Sequence, residues 1–202
     1  MQIQPQQHDY TPEEYLLLEE DAEFRSEYRD GEIVPMTGGS INHNCIVVNL
    51  CAFLRVALRG KNCKVFTSDL RLWIPRYRQY TYPDVLVIQG TPALQENRTD
   101  TILNPLLIME VLSKSTQKYD HTDKFRYYRS IPGFQEYVLI NQYEVQVEQY
   151  IKTEESQWLF REYETGDASM TFSSIGVDMA IADIYEGVDL TGVWTNPVST
   201  SN

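Results

Sequence analysis

Two blocks of apolar residues stand apart from the rest of the chain. Tyr82-Pro83-Asp84-Val85-Leu86-Val87-Ile88 and Leu106-Leu107-Ile108-Met109-Glu110-Val111-Leu112 are nearly unbroken aliphatic runs, each interrupted by one carboxylate. Continuous rather than alternating runs of this length predict strands covered on both faces. Side chains alternate along a strand, so Asp84 is expected to share a face with Leu86 and Ile88, and Glu110 with Ile108 and Leu112. Pro83 has no amide to donate and suits a strand start, an edge or a bulge, which puts Asp84 where the sheet opens.

The remaining elements follow from caps and periodicity. Thr11-Pro12-Glu13-Glu14 is a helix start with a capping box, and the helix should run to about Glu20. Asp30-Gly31 is a turn signal before a strand over 32–37. Ser40 caps a long helix from Ile41 to Arg59, closed by Gly60. Its apolar residues form one stripe of Ile41, Cys45, Val48 and Ala52 and a second of Val47, Leu50, Cys51, Leu54 and Leu58. A stripe this wide is expected to be covered by the sheet and by a second subunit. Further strands are expected at 63–67, 69–74, 81–88 and 105–112, with a loop over 89–104. Ser113-Lys114-Ser115-Thr116 offers hydroxyl caps for a helix over 117–130 that Pro132-Gly133 ends. Tyr137–Ile140 reads as a strand, 144–152 with 157–164 as a hairpin, and 178–185 as a short helix. Residues 11–190 then form one domain, with a loose lead over 1–10 and a mobile tail over 191–202. The expected class is α/β (α+β): a mixed central sheet flanked by helices, with an additional C-terminal antiparallel hairpin.

Composition adds bounds. A chain of 202 residues with 42 % hydrophobic content is long enough for a real core. It has no run of eighteen apolar residues, and its polar first residues do not read as a secretory leader. Cys45, Cys51 and Cys63 lack zinc-ligand spacing and are expected as reduced thiols in a cytoplasmic protein. The net charge of −12 is unevenly spread. Residues 55–129 hold thirteen of the seventeen Lys and Arg but seven of the twenty-nine acids, for a local balance of +6 against −18 elsewhere. A basic segment carrying two strand-borne carboxylates suits a phosphate-bearing partner.

An unpaired carboxylate inside such a strand is costly to desolvate. Two of them on neighbouring strands can share a divalent metal, the arrangement of a catalytic centre. The plainer alternative is that Asp84 closes a turn and Glu110 answers a buried Arg.

Several motifs now line up: Ser26-Glu27-Tyr28-Arg29-Asp30-Gly31-Glu32, Ser40-Ile41-Asn42-His43, Tyr82-Pro83-Asp84-Val85, Glu110-Val111-Leu112-Ser113-Lys114-Ser115-Thr116, and Asp120 followed by Lys124. Together, over about residues 10–190, they resemble the PD-(D/E)XK nuclease superfamily, and within it the Uma-type family of restriction-endonuclease-like proteins. The resemblance implies the restriction-endonuclease-like fold and a Mg²⁺ ion, with Mn²⁺ as a substitute, held by Asp84, Glu110 and the carbonyl of Val111. It implies endonucleolytic hydrolysis of DNA, and no organic cofactor is expected. Cutting both strands of a duplex further suggests a homodimer.

One position departs from the superfamily pattern. Leu112 stands where a lysine is wanted, two residues after the Glu. Lys124, one helical turn after Asp120, is the candidate to supply the missing cation, with Lys114 and Lys118 as rivals. The plainer reading of Asp120 and Lys124 is a surface pair. Glu27 is a candidate auxiliary acid or, equally, a solvated residue. His43 is expected to cap or pack rather than bind metal. Arg71, Arg76, Arg78, Lys114 and Lys118 are the candidate nucleic-acid contacts, with tyrosines interleaved among the arginines as a candidate stacking surface. Two other functions stay open: a nuclease-fold module that binds nucleic acid or protein without cleaving, and a hydrolase of smaller phosphate esters.

Overall fold

The structure, a computed structural model, describes residues 9–191. All but residues 9, 10 and 191 of the expected lead and tail therefore lie outside the described residues. Helix α1 (Pro12–Glu20) begins with the expected capping box: Glu14 N–H donates to Thr11 Oγ1 at 3.1 Å, and Thr11 N–H donates to Glu14 Oε2 at 2.8 Å. Strands β1 (Ser26–Arg29) and β2 (Glu32–Pro35) follow as a hairpin. Its turn residues Asp30 and Gly31 both have positive φ, 43° and 108°, as a tight two-residue hairpin turn requires. The sequence pattern predicts only the second of these strands.

Helix α2 (Ile41–Ala57) is capped by Ser40, whose Oγ accepts the His43 N–H at 3.1 Å. It buries Ile46, Leu50 and Leu54 and leaves Ile41, Val48 and Val56 exposed. Strands β3 (Cys63–Thr67) and β4 (Arg71–Ile74) are followed by a 3₁₀ turn, Pro75–Tyr77. The strand expected over 81–88 is divided. β5 (Gln79–Thr81) belongs to one sheet, β6 (Val85–Gln89) belongs to another, and Tyr82-Pro83-Asp84 crosses between them. Pro83 explains the break, because a residue without an N–H cannot extend a ladder. The loop expected over 89–104 contains a two-residue strand, β7 (Thr101–Ile102). β8 (Leu107–Leu112) is buried along its whole length.

The helix expected over 117–130 is present but irregular. It is made of α3 (Gln117–Tyr119), a π-helical turn over Asp120–Lys124, and α4 (Phe125–Tyr128). Strands β9 (Glu136–Asn141), β10 (Gln146–Lys152) and β11 (Trp158–Glu164) complete the large sheet. The expected C-terminal antiparallel hairpin is present. β10 and β11 form the outer edge of the large sheet, and β12 (Ser169–Phe172) pairs with β13 (Val177–Ala180) beyond it. The short helix expected over 178–185 begins later, as α5 (Ile181–Ile184).

The six-stranded sheet runs β11-β10-β9-β8-β6-β3, parallel only between β8 and β9, and the five-stranded sheet runs β2-β1-β5-β4-β7. Alternation along β6 and β8 divides the core in two. Val85, Val87, Leu107, Met109 and Val111 face α2, α5 and the β12–β13 hairpin. Leu86, Ile88, Ile108 and Leu112 face Leu72 and Ile74 of the second sheet and Tyr128 of α4. Leu112, where the superfamily pattern has lysine, is a packed core residue. The three cysteines are unpaired and half-buried.

Candidate active site

β6 and β8 pair antiparallel with Val85 opposite Met109, so continuing the register by one residue sets Asp84 opposite Glu110. Glu110 emerges on the face from which Lys124 and Tyr128 reach it, and Asp84 stands just before β6, where the chain crosses between sheets. Asp84 Oδ2 accepts the Val111 N–H at 2.8 Å. Asp84 N–H in turn reaches Glu110 Oε2 at 3.3 Å. The Glu110 side chain is thus tied to the backbone of Asp84, and the Asp84 side chain to the backbone of Val111 in β8.

Lys124 enters from the π-helical turn. Its Nζ lies 3.0 Å from Glu110 Oε1, 3.3 Å from Asp120 Oδ1 and 3.6 Å from Glu27 Oε1. The Asp120–Lys124 pair is therefore not a surface pair: both residues are buried and both face the carboxylates. Asp120 Oδ1 makes no hydrogen bond despite that distance, so it contributes charge only. Tyr128, one turn further along the same face, donates to Glu110 Oε1 at 2.7 Å. Glu27 is also buried. Its Oε2 is held by Arg29 at 2.6 Å, and its Oε1 accepts the Thr81 hydroxyl.

His43 reaches the site from the opposite element, with Nε2 3.1 Å from Asp84 Oδ2. The motif Ser40-Ile41-Asn42-His43 carried no signal for this contact. It arises because the N-terminal turn of α2 lies beside the end of β8. Ser40 Oγ donates to Gln142 Oε1, and Gln142 Nε2 donates to the Leu112 carbonyl at 2.7 Å.

The charges do not balance. Fully ionised, Glu27, Asp84, Glu110 and Asp120 would bring four negative charges against two positive ones from Lys124 and Arg29. Two unit charges about 4 Å apart interact by about 4 kcal/mol where the effective dielectric is near 20, so this excess is expensive. Burial, reinforced by Asp84 and Asp120, pushes Glu110 up to about 8 against the pull of Lys124. Burial alone would lower Lys124, but Glu110, Tyr128, Asp120 and Glu27 outweigh it and hold the ammonium protonated. Glu27 goes the other way: burial raises it, yet Lys124 and Arg29 keep it below the ordinary glutamate range. Burial would lower His43 too, and its hydrogen bond to Asp84 outweighs that.

Among the described residues no three His, Cys, Asp or Glu side chains form a ready-made metal cage. The residues nonetheless fit a hard divalent cation. Asp84 Oδ2 accepts the Val111 N–H and faces His43 Nε2 at 3.1 Å, whereas Oδ1 accepts none from the described residues. Glu110 Oε1 is likewise occupied by Lys124 and Tyr128, while Oε2 takes only the long bond from Asp84 N–H. Each carboxylate keeps one oxygen to offer, and a magnesium-type ion is commonly held by one or two carboxylates with water filling the rest. Val111 contributes its N–H to Asp84, and its side chain lies in the core on the other face.

The expected nucleic-acid contacts divide. Arg71 is only 2 % exposed, with Nε donating to Tyr82 Oη at 2.8 Å and its guanidinium over the Tyr15, Tyr80 and Tyr82 rings. It is an interior residue, and its expected phosphate contact is withdrawn. Arg76, Arg78, Lys114 and Lys118 are exposed, with Arg78 engaged by Asp30 at 3.3 Å. Arg126, one of the arginines interleaved with the tyrosines, joins this exposed group. Half-exposed, it lies over the rings of Tyr77 and Tyr127, which are 4.6 Å apart. Tyr119 continues this ladder to the site, with Lys124 5.8 Å and Arg29 3.8 Å from its ring centre.

The sequence model of the Uma2 family, described as "Putative restriction endonuclease", matches residues 12–182. Two proteins of Synechocystis sp. (strain ATCC 27184 / PCC 6803 / Kazusa) are similar over most of their length. "Uncharacterized protein sll1609" is 43 % identical, covering 81 % of this chain and 92 % of its own. "Uncharacterized protein slr1290" is 38 % identical, covering 88 % and 92 %. A crystal structure titled as a putative nuclease belonging to DUF820, from Anabaena variabilis ATCC 29413, superposes with a TM-score of 0.73 at 21 % identity. It covers 88 % of this chain and 98 % of that one, which shows a common fold. No helix of the described residues is long and apolar enough to cross a membrane.

Proposed function

We propose that this chain, which belongs to the Uma2 family, is a Mg²⁺-dependent endonuclease that hydrolyses DNA phosphodiester bonds. The observation that carries the reading is the buried convergence of Asp84, Glu110 and Lys124 in a cluster where carboxylates outnumber cations. Asp84 Oδ1 and the lightly engaged Glu110 Oε2 would hold the ion, and the Val111 carbonyl is the further candidate ligand. A divalent cation bound there supplies a Lewis acid for a phosphate oxygen and a nucleophile from water near neutral pH.

The chain's own residues do the rest. Lys124 is held protonated by its carboxylate neighbours, so it serves as a fixed positive charge for the phosphate and not as a general base. Glu27 and Asp120 hold that ammonium in place, and Tyr128 fixes the Glu110 oxygen that faces it. Lys124 thereby stands in for the lysine missing at position 112, which weakens the alternative of a non-cleaving module. Arg76 and Arg126, with the Tyr77–Tyr127–Tyr119 ladder, form the surface on which the nucleic-acid backbone runs toward the site. Arg78, Lys114 and Lys118 extend it. A second copy related by a two-fold axis supplies the cut on the other strand.

The test is incubation of supercoiled and linear duplex DNA with wild-type protein and Glu110→Gln, with Mg²⁺ or with chelator. Nicking or linearisation that needs both Mg²⁺ and Glu110 is expected. Equal cleavage by both proteins, or none by wild type across Mg²⁺ and Mn²⁺, sinks the reading.

A further inference from the structure

Asp84 makes an uneven use of its two oxygens. Oδ2 accepts the Val111 N–H at 2.8 Å and lies 3.1 Å from His43 Nε2, whereas Oδ1 has no donor among the described residues. We propose that His43 is a positioning residue whose Nε2–H, presented by the first turn of α2, pins Oδ2 and keeps Oδ1 free as the metal-binding oxygen. This inference rests on the metal-centre reading above.

Three observations support a donor role over direct ligation. His43 Nδ1 is buried and has no hydrogen-bond partner. A proton there would be an orphaned donor, at a cost of about 1–3 kcal/mol, so the neutral ring carries its proton on Nε2. A metal on Nε2 would force the proton onto Nδ1, and a metal-bound imidazole almost always gives that N–H to an acceptor. No described group is in place to accept it. The contact is also anchored at both ends. Ser40 Oγ accepts the His43 N–H, and the Ser40–Gln142–Leu112 chain ties this turn to the end of β8, two residues past Glu110. Finally, the ring is seated against Gly39, where a Cβ would come within 2.7 Å of Nδ1. Gly39 does not have a positive φ, so the space for the imidazole, and not backbone strain, is what its missing side chain provides.

The test titrates Mn²⁺ alone into the full chain by calorimetry, for wild type, His43→Gln, His43→Leu and Gly39→Ala, with melting curves to show that each folds. Gln keeps an N–H at about the reach of Nε2, so His43→Gln should bind close to wild type. His43→Leu should lose roughly 10–100-fold in affinity, the range for removing a partner that orients a metal ligand. Gly39→Ala keeps the histidine but displaces it, and should fall with His43→Leu; it carries the test if that variant does not fold. Pulsed electron paramagnetic resonance of the Mn²⁺ form should show no directly bound imidazole nitrogen. A bound imidazole signal lost in His43→Leu, or wild-type affinity in His43→Leu or Gly39→Ala, overturns the proposal. If wild type binds no Mn²⁺, the metal reading itself fails. The metal-free ¹⁵N spectrum of the neutral ring then judges His43 alone: the Nε2–H tautomer is expected, and Nδ1–H overturns it.

Discussion

Two of the places where the described residues bury charge are built on different principles. Around Arg71, the guanidinium donates to Tyr82 and lies 3.7 Å from Asp100. Tyr82 passes the interaction to Glu19 at 2.9 Å, and Arg98 pairs with both Asp100 and Glu20. Two arginines face three acids, two of which, Asp100 and Glu20, reach solvent, although Arg71 Nη1 is buried without a hydrogen bond. Around Glu110, four carboxylates face two cations, and one buried carboxylate oxygen, Asp120 Oδ1, has no hydrogen bond. A network whose acids reach water is a structural device. A buried one with surplus charge of a single sign is poised for a ligand of the opposite sign.

The widest separation between the two regions should appear in activity. Asp84→Asn and Glu110→Gln each remove a charge the metal needs, so Mg²⁺-dependent cleavage should fall below detection while the fold is kept. Lys124→Gln should cost about 10²–10³-fold in kcat, the range for losing one preorganised electrostatic donor, with Mg²⁺ affinity nearly intact. Arg71→Met should do the reverse. Breaking one side of a buried ionic network costs roughly 3–5 kcal/mol, so denaturant titration should show a large loss of stability, while folded molecules cleave at the wild-type rate. If Arg71→Met instead removes activity without destabilising the protein, the division between the two regions is wrong.

The sequence made one of these regions legible and hid the other. Asp84 and Glu110 stand out because a carboxylate in a continuous aliphatic run violates the pattern around it, and the β6–β8 register brings the two together. Lys124 was reachable because Leu112 left a vacancy for a cation, although the π turn that carries it has no sequence signature. His43, Tyr128 and Thr81 were not legible as site residues: each meets its carboxylate across a sequence separation of 18 residues or more. Arg71 misled for the opposite reason. It sits in a basic segment and opens a strand, but whether a strand end faces water depends on the sheet it joins. Tyr82-Pro83-Asp84 conceals that choice, since an apolar run does not reveal that its two halves belong to different sheets.

A pH series sharpens the comparison further. Without metal, Glu110 in the folded protein holds its proton up to about 8, whereas its ordinary value is 4.5. A carboxyl raised on folding adds stability that is complete below its unfolded value and lost as pH rises through the folded one. The metal-free protein should therefore lose melting temperature between about pH 5 and about pH 8, and Glu110→Gln should flatten that part of the curve. Mg²⁺ should raise the melting temperature more at about pH 9 than at about pH 5, because it competes with the proton for the same carboxylate. No comparable slope is expected from the Arg71 network. An identical slope in Glu110→Gln would show that the surplus charge is dissipated elsewhere.

The smallest effect concerns the surface that leads to the site. Arg76 and Arg126 are solvent-facing and stand beside the Tyr77–Tyr127 pair; Arg71 is interior. Each phosphate neutralised on a duplex changes the slope of log affinity against log salt by about 0.9. Replacing Arg76 and Arg126 together by Gln should therefore flatten that slope by about 2. Fluorescence anisotropy with Ca²⁺ in place of Mg²⁺ measures this without cleavage. Arg71→Met, measured where it stays folded, should leave the slope unchanged. The chain as a whole carries −12, so any attraction to DNA has to come from a local cluster of positive charge, and the slope counts its contacts directly. If the slope survives loss of both surface arginines but drops with Lys114 and Lys118, the backbone runs over the start of α3 and away from the tyrosine ladder.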